Sequence, residues 1–359
     1  MINKYPLVSV IILNFNGGKI FDRCLDSVWK STYPHFEIIL VDNGSQKKEI
    51  GHLQKKYNQR AKIILNKKNV GFAMGNNIGV KYAKGIYLVF LNNDTIVTPN
   101  WISKAAMRLE NDHTIAFLQP KIKSLKYKKY FEYAGGAGGY IDFFGYPFVR
   151  GRIFGAIEED IGQYDDERYV FWTSGVCLFC RKKIFLKLGG FDPKFFAYAE
   201  EDDLCFRAWR SGYKSIYYPQ AEIYHLGGYT SNQNIAQKMF LIHRNHLLLL
   251  LKNIKIRQLI MILPCRMFMD IGTFFYYLLK YRSRDTAFSI IRAYLSLLFN
   301  LKNIIAARLK DTIGNFGYPT RQNLVYRGSI VFDYFFLGKT KWGKIMENKD
   351  CPSKQIKLF

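Results

Sequence analysis

Four consecutive acids, Glu200, Glu201, Asp202 and Asp203, sit in the stretch FFAYAEEDDLCFRAW between aromatic and apolar residues. A carboxylate in such surroundings is costly unless it is bonded or needed, and partial burial raises its pKa, as a general base requires. A helix from about Glu200 to Ser211, stopped by Gly212, places all four at the positive end of a helix dipole. On that helix Leu204, Cys205, Ala208 and Trp209 form one apolar face. Glu201 projects along the middle of that face, Asp202 lies at its edge, and Glu200 lies off it. Asp203 projects away, four residues before Arg207, where an ion pair is explanation enough. Glu201 is the candidate base, with Glu200 and Asp202 as accessory acids.

A second polar set lies at the ends of apolar runs. Residues 7–15, 36–43, 62–65, 87–94 and 115–120 read as strands, rich in Val, Ile and Leu with little alternation, as strands buried on both faces should be. Helix-length segments separate them, so the expected architecture is α/β: a mostly parallel, Rossmann-like sheet flanked by helices. Ligands of open parallel sheets bind beyond the carboxyl ends of the strands. Those ends read Asn14-Phe15-Asn16-Gly17, Asp42-Asn43-Gly44-Ser45 and Asn92-Asn93-Asp94, and NVGFAMGNNIG (69–79) follows the third strand. Any one is an ordinary turn or cap; together they predict a binding cleft. Asp42 suits a base or ribose. Asp94 is the metal candidate, because a hard cation needs few carboxylates when phosphates complete its shell. His225 ends AEIYHL just before Gly227 and Gly228 and joins the candidates.

Beyond the first strands the pattern changes. Residues 122–168 are rich in Gly and aromatics and read as a long functional loop; 170–180 reads as a strand. From about 236 the chain is mostly helical, with apolar faces interrupted by Lys and Arg. The expected division is 1–235 and 236–359.

The chain of 359 residues has a net charge of +25. Residues 206–359 carry 24 Lys and Arg against 7 Asp and Glu, so the basic, aromatic C-terminal part expects an anionic partner. An anionic membrane surface fits amphipathic helices rich in Tyr and Phe; a second core or a dimer interface is the plainer alternative. No nucleic-acid motif is present. Six scattered cysteines suit a reducing cytoplasm, and Cys177 and Cys180, three apart on a strand, face opposite sides rather than one zinc. The first fifteen residues do not read as a signal peptide, and the most apolar late stretch, 259–279, is broken by Pro264, Arg266 and Asp270. The expected location is cytoplasmic, peripheral on the inner face of the cell membrane.

G-x-G-x-x-G after strand one and G-x-x-x-x-G-K-[ST] are both absent, which disfavours a plain NAD enzyme or P-loop ATPase. The pieces VSVIILNFNG, ILVDNGS, NVGFAMGNNIG, VFLNNDT, SGVCLFCRKKIFLKLGGFDPKFFAYAEEDDLCFRAWRSGY, YHLGG and HRNHLLLLLKN occur in the order of a family-2 glycosyltransferase of GT-A fold. They most resemble the bacterial rhamnosyltransferase-like branch of cell-surface polysaccharide assembly. The resemblance implies that Asn14, Asn16 and Asp42 line a nucleoside pocket beside the Gly71–Asn77 loop. It puts Asn93 and Asp94 at the D-x-D position, with Asp94 on a Mg or Mn ion and His225 near that metal or the diphosphate. It brings Ser174 and Gly175 to the donor sugar, and makes Glu201 the base of an inverting transfer. The donor implied is deoxythymidine-diphospho-rhamnose or a UDP-hexose, and the acceptor a cell-surface glycan or lipid-linked saccharide. Here one carboxylate stands where many relatives have two, and Glu201 stands where Asp is commoner. A non-catalytic nucleotide-sugar or glycan-binding protein is the rival reading. A sugar nucleotidyltransferase is another, although NFNGGKIFDR lacks its Arg-containing loop.

Overall fold

The structure is a computed structural model that describes residues 5–227, 235–311, 313–319 and 324–346. Gly228 and the tail beyond Met346 lie outside the described residues.

The N-terminal part alternates strands and helices: β1 (Val8–Asn14), α1 (Gly18–Trp29), β2 (Phe36–Asp42), α2 (Lys47–Tyr57), β3 (Lys62–Leu65), α3 (Gly71–Val80) and β4 (Tyr87–Asn92). Then come β5 (Thr95–Val97), α4 (Trp101–Glu110) and β6 (Ile115–Ser124). Short strands β7 (Gly139–Asp142), β8 (Pro147–Val149), β9 (Arg152–Ile153), β10 (Ala156–Ile157) and β11 (Arg168–Tyr169) follow. Next are β12 (Cys177–Arg181), α5 (Lys182–Lys187), α6 (Glu200–Arg210) and β13 (Lys214–His225). The C-terminal part holds α7 (Ile235–Asn253), α8 (Ile256–Leu279), α9 (Arg284–Phe299), α10 (Leu301–Leu309), β14 (Val325–Tyr326), α11 (Ile330–Phe335) and α12 (Trp342–Met346).

The main sheet runs β11-β13-β6-β12-β4-β1-β2-β3, with β5 on β13. β1 pairs in parallel with both β2 and β4, in a register that sets Asn14 beside Asp42 and Leu13 beside Asn92. β12 enters antiparallel between β4 and β6, so the sheet is mixed at its centre. Alternate residues feed opposite cores, Val10 and Ile12 on one face and Ile11 on the other. Cys177 and Cys180 likewise fall in opposite cores.

Two expectations change. Residues 122–168 are not one long loop: they hold a second sheet, ordered β10-β9-β8-β7-β14, whose last strand comes from the C-terminal region. Gly145 and Gly151 take φ values of +81° and +95° and turn the chain between strands of two to four residues, too short to show alternation. The strand read over 170–180 shrinks to Cys177–Arg181. The backbone before it is turned by Ser174, whose Oγ accepts from the Val176 N–H at 3.2 Å.

The C-terminal region packs on the main sheet and α6 through hydrogen bonds and an ion pair. Asn253 of α7 donates to Asp203 Oδ1 at 3.0 Å, and Arg210 reaches Asp311 at 3.0 Å. α8 is 24 residues long, and among the described residues it is the one single helix long and apolar enough to cross a membrane; α9 and α10, bent by 55°, would qualify only as a pair.

Candidate active site

The ends of β1, β2 and β4 bring three of the predicted polar residues into one hydrogen-bonded set. Asn14 Nδ2 donates to Asp42 Oδ1 at 3.3 Å, and Asn93 Nδ2 donates to Asn14 Oδ1 at 3.0 Å. Asp42 Oδ2 accepts from the backbone N–H groups of Gly44 (3.2 Å) and Ser45 (3.0 Å), which fixes the carboxylate at the strand end. Asn16 sits at φ +51° and bridges to the next strand end, its N–H on Ser45 Oγ at 2.9 Å and its Oδ1 on the Gln46 N–H at 3.0 Å. A Cβ at Gly17 would stand 2.4 Å from Asn14 Oδ1, so only glycine closes this corner.

Asp94 follows the β4 end, and β5 pairs antiparallel with the end of β13, opposing Thr95 to His225. His225 Nε2 consequently lies 3.0 Å from Asp94 Oδ1. The other ring nitrogen lies 3.2 Å from Glu132 Oε2. All three side chains are buried. Burial alone would lower the imidazole pKa, but the two carboxylates outweigh it and raise it to about 10. Glu132, by the same pairing, stays below the ordinary carboxylate range despite its burial. Glu132 was not among the sequence candidates. It did carry the signal that marked the acid run, a carboxylate between aromatics, Phe131 and Tyr133.

Among the described residues no group of three or more His, Cys, Asp or Glu side chains has the arrangement of a closed metal centre. The donor set still suits a cation shared with a ligand: one carboxylate oxygen and one imidazole nitrogen stand side by side, and Glu132 backs the imidazole as an orienting partner.

Glu201 is linked to the same strand end through the backbone. Its Oε1 accepts from the Gly175 N–H at 3.2 Å, while Oε2 is out of water and has no hydrogen-bond partner. The next residue after Gly175 ties this contact to the β4 end, because the Asn92 N–H donates to the Val176 carbonyl at 2.9 Å. A Cβ at Gly175 would lie 3.1 Å from Phe72 Cζ and 3.4 Å from Glu201 Oε1, so the start of α3 and the acid meet there. Burial raises the Glu201 pKa. Burial and the neighbouring Glu201 charge raise that of Glu200 further, so Glu201 is the readier of the two to ionise.

The helical-wheel picture needs correction. α6 is enclosed almost all round, because α7 packs on the side that the wheel left to solvent. Glu200, Asp202 and Asp203 are buried, and Glu201 is the least buried of the four as a residue even though its Oε2 is sealed. Asp203 does pair with Arg207, at 2.9 Å, and also with Lys252 at 2.9 Å. Burial acts to raise its pKa, but these cations hold it well below the carboxylate range. Asp202 lies 4.0 Å from His246 and is pushed up by burial and by its acidic neighbours.

The acid helix starts from an unusual turn. Phe196, Tyr198 and Ala199 have φ of +64°, +71° and +65°, a region that side chains with Cβ disfavour. Asn245 of α7 holds it: Nδ2 donates to the carbonyls of Phe195 (2.8 Å), Ala197 (2.8 Å) and Tyr198 (2.6 Å). Arg244 adds a bond to the Phe195 carbonyl at 2.9 Å and one to Asn245 Oδ1 at 2.7 Å. Gly71, at φ +84°, lets the start of α3 lie against this turn; a Cβ there would meet the Phe196 carbonyl at 2.5 Å.

Two predicted residues are engaged elsewhere. Asn77 uses both ends of its amide on Phe191, donating to the carbonyl at 2.7 Å and accepting from the N–H at 3.1 Å. The Ser174 hydroxyl is spent on the Ala134 carbonyl at 3.1 Å, and its N–H on Gln119 at 2.8 Å. Both hold loops rather than project free donors.

Comparison with known proteins bears on the family and the fold. Residues 9–165 match the family model described as Glycosyl transferase family 2. An uncharacterized glycosyltransferase of Haemophilus influenzae is 40% identical over 114 residues, 31% of this chain and 35% of its own length. The O-antigen biosynthesis protein RfbC of Myxococcus xanthus is 27% identical over 228 residues, 61% of this chain and 17% of its own. This chain thus matches only a minor share of each of these relatives. Among solved structures, GalNAc-T7 with UDP, GalNAc and Mn2+ superposes with a TM-score of 0.56 at 19% identity, over 84% of this chain and 58% of that one. The mannosyltransferase PcManGT of Pyrobaculum calidifontis, in complex with GDP-Man and Mn2+, gives 0.50 at 14%, over 87% and 83%. These likenesses establish the GT-A fold.

Proposed function

We propose, for a chain that carries a family-2 glycosyltransferase domain over residues 9–165, the transfer of a sugar from a nucleoside-diphosphate donor to an acceptor hydroxyl, with inversion at the anomeric carbon. The observation that carries it is the Glu201 carboxylate, whose Oε1 is bound through Gly175 to the strand end that bears Asp94 and whose Oε2 is buried with no hydrogen-bond partner. A buried carboxylate with a raised pKa and one free oxygen is poised to take a proton.

In this reading Asp42 and Asn14 hold the base or ribose at the β1 and β2 ends, with Asn16 and Asn93 shaping the pocket. Asp94 with His225 would hold a divalent cation, Mg2+ or Mn2+, which when bound supplies positive charge to the leaving diphosphate. Glu201 takes the acceptor proton as the acceptor oxygen attacks from the face opposite the diphosphate, after a turn of its side chain uncovers Oε2. Glu200 keeps its own proton and favours the ionised form of Glu201. The donor reading is deoxythymidine-diphospho-rhamnose, with a UDP-hexose as the alternative. The acceptor reading, a cell-surface glycan or lipid-linked saccharide, draws support from the O-antigen relative.

The test is a panel of nucleotide sugars with Mn2+, scored for thermal stabilisation, hydrolysis and transfer. Glu201→Gln keeps the shape and removes the base; transfer is expected to fall by about a hundredfold or more, while nucleotide-induced stabilisation persists. Transfer at near wild-type rate by that variant would remove Glu201 from the role. A panel in which no nucleotide sugar stabilises the protein or is consumed would sink the transferase reading itself.

A further inference from the structure

Helix α8 is built the wrong way round for a helix on a water-soluble surface. The two charges in its middle face inward. Arg266 and Asp270 are each 1% exposed and pair at 3.2 Å. Arg266 Nη1 donates to the Gly145 carbonyl at 3.3 Å, and its guanidinium lies 3.6 Å from the centre of the Tyr146 ring. Asp270 accepts from the hydroxyls of Tyr146 (3.0 Å) and Tyr294 (2.8 Å). The outward side carries Ile260, Met261, Phe268, Ile271, Phe275 and Leu279, with Phe268 77% exposed. Neighbouring elements continue this surface. Phe288 of α9, half exposed, stands 5.6 Å from Phe274, and Phe335 of α11 stands 6.0 Å from Tyr276. More than half of the large apolar side chains exposed among the described residues lie between Ile256 and Leu337. A contiguous patch of this kind marks an interaction surface rather than ordinary scatter.

Charge chooses the occupant. Lys255, Arg257, Lys280, Arg282, Arg284 and Arg292 are exposed at the ends of α8 and along α9. Of the acids described between 255 and 346, Asp270, Asp311 and Asp333 are paired internally with Arg266, Arg210 and Lys339, and only Asp285 is exposed. A second copy brought to this face would meet its own basic residues, and like charges would oppose the contact. An anionic lipid surface satisfies both the apolar side chains and the rim. Spanning would require α8 to carry Arg266 and Asp270 away from Tyr146, Gly145 and Tyr294 into hydrocarbon, which is costly.

We propose that the outer face of α8, α9 and α11 seats the protein on an anionic membrane surface, lying in the interface and not crossing it. The inference does not depend on the sugar-transfer reading. Flotation of the full chain with phosphatidylcholine vesicles, alone or mixed with phosphatidylglycerol, tests it. The expected result is binding to the mixed vesicles that weakens with salt. Phe268→Ser combined with Phe275→Ser should lower vesicle affinity about tenfold or more, at an unchanged unfolding midpoint. Arg257→Gln with Arg284→Gln should lower the preference for anionic over neutral vesicles several-fold. Equal flotation with both vesicle types, insensitive to all four substitutions, would overturn the proposal. So would a vesicle-free dimer, seen by sedimentation, that the serine variant dissolves. Resistance to alkaline carbonate extraction would replace the interfacial seat by a span. Donor hydrolysis enters none of these readouts, so failure here is separable from failure of the enzymatic reading.

Discussion

At the scale of single residues, the site rests on carboxylates whose protons are assigned by their neighbours. Glu201 must be ionised to accept a proton, and burial raises its pKa above the ordinary range. The kcat of transfer is therefore expected to rise with pH along an acid limb that lies above the usual glutamate range. The neutral Glu200 carboxyl favours ionised Glu201, so Glu200→Ala should move that limb to higher pH. Glu200→Gln keeps a neutral hydrogen-bonding group and should leave the limb near its wild-type position. A pH profile of kcat checks both, and a shift of the limb to lower pH in Glu200→Ala would contradict this effect of Glu200 on Glu201. The Asp94–His225–Glu132 set follows the same logic of compensation. Without a metal, a buried imidazolium is tolerable because it is flanked by two carboxylates, one of them supplied by the Gly-rich region between the strands; to hold a cation beside Asp94 the ring must first give up its Nε2 proton.

At the scale of elements, α6 and α7 form a unit in which one helix carries the acids and the other holds their approach. Three carbonyls of the turn Phe195–Tyr198 converge on the single Nδ2 of Asn245. Asn245→Ala frees a strained backbone directly before Glu200 and Glu201. A displacement of the base by about 1 Å costs on the order of a hundredfold in rate, so kcat is expected to drop by that order. Nucleotide-induced thermal stabilisation should change little, because the β1 and β2 ends are untouched. Steady-state kinetics beside melting curves with UDP and other nucleoside diphosphates separate the two effects. An equal loss of nucleotide binding would show that Asn245 supports the fold in general rather than the base.

At the scale of the whole molecule, the C-terminal region does more than follow the sheet domain. β14 adds to the small sheet in parallel with β7, and Ile330 N–H caps Asp142 Oδ2 at 3.0 Å. Trp342 packs with ring centres 4.4 Å from Tyr140 and 5.5 Å from Phe148. Trp342→Ala is expected to cost about 3–5 kcal/mol and to open residues 139–157 to proteolysis; denaturant titration and limited digestion measure the two. Unchanged protection of that segment would mean that the small sheet stands without its C-terminal cover.

Sequence alone determined the parallel β-α framework, since uninterrupted Val, Ile and Leu runs survive only in strands covered on both faces. It also determined the strand-end polar residues and the acid helix, because those signals are local and periodic. Tertiary structure alone decided the rest. The sheet order, with β12 inserted antiparallel beside β4, depends on long-range pairing that no local pattern encodes. The second sheet is made of strands as short as two residues and borrows one from about 180 positions later in the chain, so periodicity had nothing to register. The burial of α6 on all sides came from α7, and it sealed Asp203 as well as the inward face on which Glu201 was sought. The inverted polarity of α8 became visible only once Arg266 and Asp270 had partners; in sequence the same two charges argued against a membrane span, and in the fold their inward pairing leaves the middle of the outer face free of charge.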